Sequence, residues 1–238
     1  QQQVEDPGQK LTKFRKASAI PMIFLKGKYE DLAFTKKSQA FIKVSIVHKE
    51  KEAKNVIGYM NNESQNTVVI GAHFDHLGYG DEGSLHRGER AIHNGADDNA
   101  SGTAALIEIG EAFVKQKKNL KRSVLILWFS GEEIGLFGSM FYTDNPIIPL
   151  EQTVANINLD MIGAVRTARD TGLIYREKVS VMAMDSISVI GGHQSKELLK
   201  IHNESTSKMG MASDFSMNSP DHPYRYYYRS DHYNFAKT

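Results

Sequence analysis

Short apolar runs that alternate with a helical pattern are the feature that most constrains the fold of this chain. Residues 67–72 (TVVIGA) and 123–129 (SVLILWF) form continuous apolar segments, and 154–159 (VANINL) follows them. Between the first two, residues 101–117 repeat apolar side chains at helical spacing. Continuous short runs of this kind are typical of strands that are buried on both faces. We therefore predict an α/β fold with a mixed, mainly parallel central sheet flanked by helices.

Weaker patterns extend this prediction along the chain. Residues 55–60 favour a further short strand, and residues 195–205 favour a helix. From residue 164 to residue 229 the pattern is less regular, and its Met- and Tyr-rich stretch is typical of loops.

The composition fits a globular protein and excludes several other classes. The 238 residues are 40% hydrophobic and 24% charged, and no apolar run approaches the roughly 18 residues that a membrane helix needs. The net charge of +1 argues against a dedicated nucleic-acid-binding protein. Cysteine is absent, so any metal ion must be held by His, Asp and Glu.

Four polar clusters follow or interrupt the apolar segments. In open α/β sheets, ligands bind beyond the carboxyl ends of the strands, so a fold of this class brings such clusters together. Alone, each cluster is ordinarily a surface pair, a helix cap or a solvated turn. Their shared position at strand ends is what favours a common site. The clusters are His73-Phe74-Asp75-His76, Asp97-Asp98-Asn99, Glu132-Glu133 and Asp160.

The residue types in these clusters suit zinc, which is bound by imidazole and carboxylate groups. The carboxylate of Asp75 is placed to accept the second ring N–H of His73 and so to fix its tautomer. Asp98 precedes a predicted helix, whose positive end keeps the carboxylate ionised and able to bridge two cations. Glu132 and Glu133 are adjacent and point in different directions, so one can bind metal while the other acts as a general base.

Five motifs occur in order with spacing that resembles metallopeptidase family 28, the co-catalytic dizinc aminopeptidases. The resemblance runs from about Asn55 to the end of the chain. It implies a three-layer phosphorylase/hydrolase-like fold for a peptidase domain at residues 55–238. Residues 1–54 are similar to the tail of a protease-associated insert. The motifs are GAHFDHLG (71–78), HNGADDNASGTAAL (93–106), FSGEEIGLFGS (129–139), NLDMIG (158–163) and RSDHYNF (229–235).

The resemblance also implies a role for each matching residue. His73 and Asp160 would hold one zinc ion, Glu133 would hold a second, and Asp98 would bridge both. Glu132 would be the catalytic acid/base, and Asp75 would orient His73. The family often has a cis peptide after the bridging aspartate, here Asp98–Asn99. Asp231 and His232 match a motif that lines the substrate side, whereas His76 and His93 are expected in supporting or loop roles.

One departure concerns the fifth metal ligand. The family supplies a histidine in a YHxxxDT-like segment beyond the RSDHYNF motif, and the sequence ends at Thr238 without such a segment. The expectation is therefore either a domain truncated at its C-terminus or replacement of the fifth ligand by another histidine, for which His193, His222 and His232 are available. With the sequence as it stands, we expect the second zinc site to be weakly occupied.

The function implied by the resemblance is hydrolysis of N-terminal residues from peptides through a metal-bridging water. The alternatives are carboxypeptidase or glutaminyl cyclase chemistry on the same scaffold, and a catalytically impaired peptide-binding domain. The family and the absence of cysteine predict an exported protein, whether periplasmic, secreted or at the cell surface.

Overall fold

The central sheet of the protein has four strands in the order β1-β3-β2-β4. A computed structural model describes residues 51–80, 84–86, 88–165, 185–192, 195–219 and 221–238. The predicted N-terminal segment, 1–54, lies outside the described residues apart from 51–54. The strands of the central sheet are β1 (Val56–Met60), β2 (Thr67–His73), β3 (Ser123–Phe129) and β4 (Thr153–Asn158).

The sheet is mixed and mainly parallel, as predicted. Strand β2 pairs in parallel with β3 on one side and with β4 on the other, and β1 pairs with β3 in the antiparallel sense. The register places His73 opposite Phe129, so β2 and β3 end side by side. The carboxyl ends of three strands therefore lie at one edge of the sheet.

Helices cover both faces of this sheet. The other elements are α1 (Gly102–Gln116), α2 (Phe137–Asp144), β5 (Ser186–Ser188), α3 (Lys196–Met209), β6 (Ala212–Asp214) and α4 (His232–Ala236). On one face, Val69, Leu125 and Leu127 pack with Tyr142 of α2 and Phe235 of α4.

On the opposite face, Ile70, Ala72 and Ile126 pack with Leu106 of α1. Successive residues of β2 and β3 thus enter opposite cores, which explains why these strands are apolar without alternation. Leu106 is completely buried, and burial of such a side chain contributes about 1.5–3 kcal/mol. The three-layer arrangement expected from the sequence is confirmed.

The second half of the chain adds a small two-stranded sheet, in which β5 and β6 pair in parallel. Helix α3 begins at a cap in which the Ser195 hydroxyl accepts a hydrogen bond from the Leu198 amide, and it ends before Gly210, whose φ is +69°. The helix predicted at 195–205 is therefore confirmed, and it extends to Met209. Throughout the described residues, every helix is too short or too polar to span a bilayer.

Candidate metal centre

The four polar clusters of the sequence meet at the carboxyl edge of the sheet. His73 is the last residue of β2, Asp160 follows β4, and Glu132 and Glu133 follow β3. Asp98 lies in the turn that leads into α1. Within the described residues, two groups place their ligand atoms within 4.8 Å of one another, and Asp98 belongs to both. The groups are His73-Asp98-Asp160 and His76-Asp98-Glu133.

The geometry around His73 fits a zinc ion. The side chain is 1% exposed, and its Nε2 lies 3.2 Å from Oδ1 of Asp98 and 3.4 Å from Oδ1 of Asp160. This buried nitrogen has no aligned hydrogen bond to either carboxylate. In a tetrahedral zinc site, neighbouring nitrogen and oxygen ligands lie about 3.3 Å apart. The donor set and the spacing of these three atoms therefore suit zinc.

The second group centres on Glu133. Its Oε1 lies 2.6 Å from Nδ1 of His76, and both side chains are largely buried. Asp98 stands between this pair and His73 and offers an oxygen to each group. This is the placement that the family resemblance implies for a bridging carboxylate.

The interactions of Asp75 differ from those expected. The ring Nδ1 of His73 lies 3.0 Å from the main-chain carbonyl oxygen of Asp75 and 3.8 Å from its carboxylate. The carboxylate instead accepts the backbone N–H groups of Glu132 and Glu133, at 3.1 and 3.3 Å. The backbone of Asp75 therefore orients His73, because its side chain is engaged with the turn that carries the two glutamates.

Asn99 is a structural residue that was placed in a polar cluster from the sequence but was given no role there. It is 2% exposed, and its side-chain amide donates hydrogen bonds to the carbonyl groups of Leu159 and His73. Its side-chain oxygen accepts the backbone N–H groups of Gly102 and Met161. Asn99 thus joins the ends of β2 and β4 to the start of α1.

The backbone around Asn99 matches one expectation from the resemblance, because the Asp98–Asn99 peptide bond is cis. The neighbouring Asp97 joins neither ligand group and accepts the backbone N–H of Gly163 at 2.7 Å. The sequence signal for Asn99 was only its place between two aspartates and a helix start, where an asparagine is ordinarily a cap.

The crowding of carboxylates shifts the titration of the central groups. Burial acts to lower the pKa of His73, but the adjoining carboxylates of Asp160 and Asp98 raise it to about 11. Burial raises the pKa of Glu132 to about 9, with the charges of Asp160 and Asp231 acting in the same direction and that of His73 opposing them. Without a cation, this cluster therefore retains protons at neutral pH.

The two other acidic groups shift in opposite directions. Burial raises the pKa of Glu133, and the charge of Asp98 adds to this effect. Burial also acts to raise the pKa of Asp160, but interactions with His73 and Ser230 hold it below its ordinary value. Asp160 thus stays ionised more readily than Glu132 and Glu133.

Asp231 and His232 are buried beside the cluster. Asp231 is fully buried, and this burial raises its pKa to about 7, while Ser139 and His73 act to lower it. His232 begins α4, and its ring packs edge-on against Tyr227 at 5.5 Å. Burial lowers the pKa of His232. Neither residue joins the two groups of ligand atoms described above, and their substrate-side role stays a prediction.

Comparison with known proteins matches this arrangement to a family of peptidases. The sequence pattern of Peptidase family M28 covers residues 55–238. An aminopeptidase from Pseudomonas aeruginosa (strain UCBPP-PA14) is 34% identical over 129 residues, which are 53% of this chain and 21% of that protein.

Two solved structures share the fold. BSAP, a zinc aminopeptidase from Bacillus subtilis, superimposes with a TM-score of 0.51 and 23% identity over 77% of this chain and 37% of that one. A glutaminyl cyclase from Bacteroides thetaiotaomicron, bound to N-acetylhistamine, gives a TM-score of 0.55 and 18% identity over 77% of this chain and 60% of that one. The chain therefore spans only part of the length of each relative. Because the family pattern covers well over half of the sequence, the protein belongs to peptidase family M28.

Proposed function

We propose that the protein is a zinc-dependent aminopeptidase that releases N-terminal residues from peptides. The observation that carries this proposal is the pair of ligand groups at the sheet edge, which share Asp98. Membership of the family supports a peptide substrate. The names of the aminopeptidase relatives support cleavage from the N-terminus.

In this proposal, His73 and Asp160 would hold one zinc ion, Glu133 would hold a second, and Asp98 would contribute an oxygen to each group. Bound zinc supplies Lewis-acid polarisation of the scissile carbonyl and lowers the pKa of bound water. Two observations make these residues suitable for zinc. They are imidazole and carboxylate groups, and the buried Nε2 of His73 lies as far from the oxygens of Asp98 and Asp160 as two atoms that bind one zinc ion.

Glu132 is the residue proposed to move protons. It lies on the same turn as Glu133, and Asp75 holds the backbone N–H of both. Burial keeps the pKa of Glu132 high, at about 9. This value belongs to the metal-free protein; the positive charge of bound zinc would lower the pKa of Glu132, so that its carboxylate could accept a proton from water and return it to the leaving amine.

Hydrolysis of an unblocked peptide tests the proposal. The zinc-loaded full chain should release the first amino acid from a free peptide and should leave its N-acetylated counterpart intact. A chelator should abolish the release, and added zinc should restore it. Absence of release by zinc-loaded protein, or equal cleavage of the acetylated peptide, would contradict an aminopeptidase.

Cyclase chemistry is the second candidate, because the Bacteroides thetaiotaomicron glutaminyl cyclase has the same fold. A cyclase would release ammonia from a peptide that begins with glutamine and would shorten no peptide. Amino-acid and ammonia assays on one glutamine-initiated peptide therefore separate the two candidates. The same assay on a C-terminally amidated peptide tests carboxypeptidase activity, which amidation would block.

A peptide-binding domain without catalysis would bind the free peptide and release no amino acid, so peptide binding and turnover are measured together.

We also propose that the protein is exported, and fractionation of cells that produce the full chain tests this location.

A further inference from the structure

His76 makes the shortest polar contact of the second ligand group. Its Nδ1 lies 2.6 Å from Oε1 of Glu133, although 57 residues separate the two in sequence. The side chains are 21% and 17% exposed, so solvent screens the contact only partly. A hydrogen bond in which the carboxylate is ionised is stronger than one between neutral groups.

The distance identifies the kind of contact. Two atoms that bind the same zinc ion lie about 3.3 Å apart in a tetrahedral site, and the atoms around His73 have this spacing. The His76–Glu133 pair is closer, at a length typical of a charge-assisted hydrogen bond. His76 therefore holds one oxygen of Glu133, and the other oxygen remains available to a cation.

The loop backbone accommodates the His76 ring at Gly95. This glycine has φ +63°, and a Cβ atom there would lie 2.9 Å from Cγ of His76 and 2.7 Å from the carbonyl oxygen of Asp98. Such contacts are closer than a side chain tolerates, so residue 95 must lack one. The ring thus packs directly on the backbone that leads to Asp98.

His93 supports the ring from a second direction. The centroids of the His76 and His93 rings are 6.4 Å apart. The Nε2 of His93 lies 2.6 Å from the Ser84 hydroxyl, and its backbone N–H donates to the carbonyl of Gly78. The contacts with Gly95 and His93 together restrict the rotation of the His76 ring.

We propose that His76 is the positioning residue for Glu133, holding that carboxylate in the orientation that binds the second metal ion beside Asp98. This inference rests on the proposed function, because it assigns His76 a task in the second zinc site. His76, in the segment HFDH at 73–76, thereby supports Glu133, which follows β3.

Zinc affinity of the metal-free full chain tests the inference, measured by competition with a chromogenic chelator and by calorimetry. His76→Ala should weaken the affinity for the second zinc ion by about 10- to 100-fold, which is the range found when a hydrogen bond to a metal ligand is removed. The affinity for the first zinc ion should stay within about threefold of the wild-type value. His76→Asn should restore the affinity to within about threefold, because its amide N–H occupies the place of Nδ1–H.

The matched control is Leu85→Ala, which removes an exposed side chain from the same loop and should change neither affinity. If His76→Ala binds both ions as the wild type does, or if His76→Asn is as weak as His76→Ala, the positioning role is wrong. In both cases the wild type still binds two ions and the proposed function stands. Wild-type protein that binds no zinc would overturn the function and the inference together.

Discussion

The Ser230 hydroxyl donates a hydrogen bond to Oδ2 of Asp160, at 2.6 Å. The same hydroxyl accepts a hydrogen bond from the side-chain amide of Asn158, the last residue of β4. The segment before α4 is therefore fastened to the strand end that carries a proposed metal ligand. This contact leaves Oδ1 of Asp160 directed at His73.

Replacement of Ser230 by alanine should weaken binding of the first zinc ion by about tenfold, since the orientation of Asp160 and its lowered pKa both depend on this hydroxyl. Chelator competition at pH 7.5 measures the effect. Ser216→Ala is the matched control, because it removes a hydroxyl that bonds Asp214 on the surface. Equal affinity of the two variants would contradict the prediction.

The substitution Glu132→Gln should reduce turnover of an unblocked peptide by about 10²- to 10⁴-fold, because the amide cannot accept the proton of water. Zinc content should stay at the wild-type value, since Glu132 is not a proposed ligand. Elemental analysis and an amino-acid release assay measure the two quantities. Glu151→Gln, at an exposed position, is the control. Retained turnover in Glu132→Gln would assign proton transfer to another group.

Zinc binding should release at least one proton at pH 8. The pKa of His73 in the metal-free protein is about 11, so its imidazole is protonated at pH 8, and zinc binds only the neutral ring. Affinity should consequently rise with pH. Calorimetric titration in two buffers of different ionisation enthalpy counts the protons released. A count of zero would show that His73 is already neutral.

Asp75→Ala should lower the free energy of unfolding by about 1–3 kcal/mol, because two backbone N–H groups lose their acceptor. The affinity for the first zinc ion should change less than threefold, since the main-chain carbonyl that holds His73 is retained. Urea denaturation and chelator competition measure these effects. A large loss of affinity with unchanged stability would instead support the side-chain role expected from the sequence.

Asp231→Asn should stabilise the metal-free protein at alkaline pH. The folded-state pKa of about 7 exceeds the ordinary value of 3.8, so the stability contributed by the protonated acid is complete below pH 3.8 and is lost as pH rises to 7. The variant should match the wild type near pH 4 and exceed it by up to about 4 kcal/mol at pH 8.

Denaturation of both proteins with urea across this pH range measures the difference, and exposed Asp221 provides the control variant Asp221→Asn. A difference between wild type and Asp231→Asn that does not change with pH would mean that Asp231 ionises in the folded state as readily as in the unfolded chain.

The strands and the metal groups could be predicted because their signals are local. Strand β3 is apolar at nearly every position, since both of its faces meet a core, and residues 123–129 show this as one short continuous run. His73 and Asp160 follow from the fold, because parallel strands end at the same edge of a sheet.

The residues that support the site could not be predicted in the same way. Asn99 and Ser230 act through contacts with partners that are 60 or more residues away, at Leu159 and Asp160. For Asp75 we expected the carboxylate to hold His73, whereas its carbonyl oxygen lies closer to the ring, and sequence spacing does not distinguish the two acceptors. Helix α2 was missed because its eight residues are too few for a clear period.

The placement of His73 at the end of a strand with neighbours on both sides has a consequence for how this scaffold can be altered. Strand β2 is tied to β3 and β4, whereas the described residues of the loop at 77–95 lie in no strand or helix. Insertions or substitutions within that loop, away from its two ends, should leave the imidazole of His73 in place. Changes in this loop should therefore disturb the position of His73 less than changes in any of the three strands.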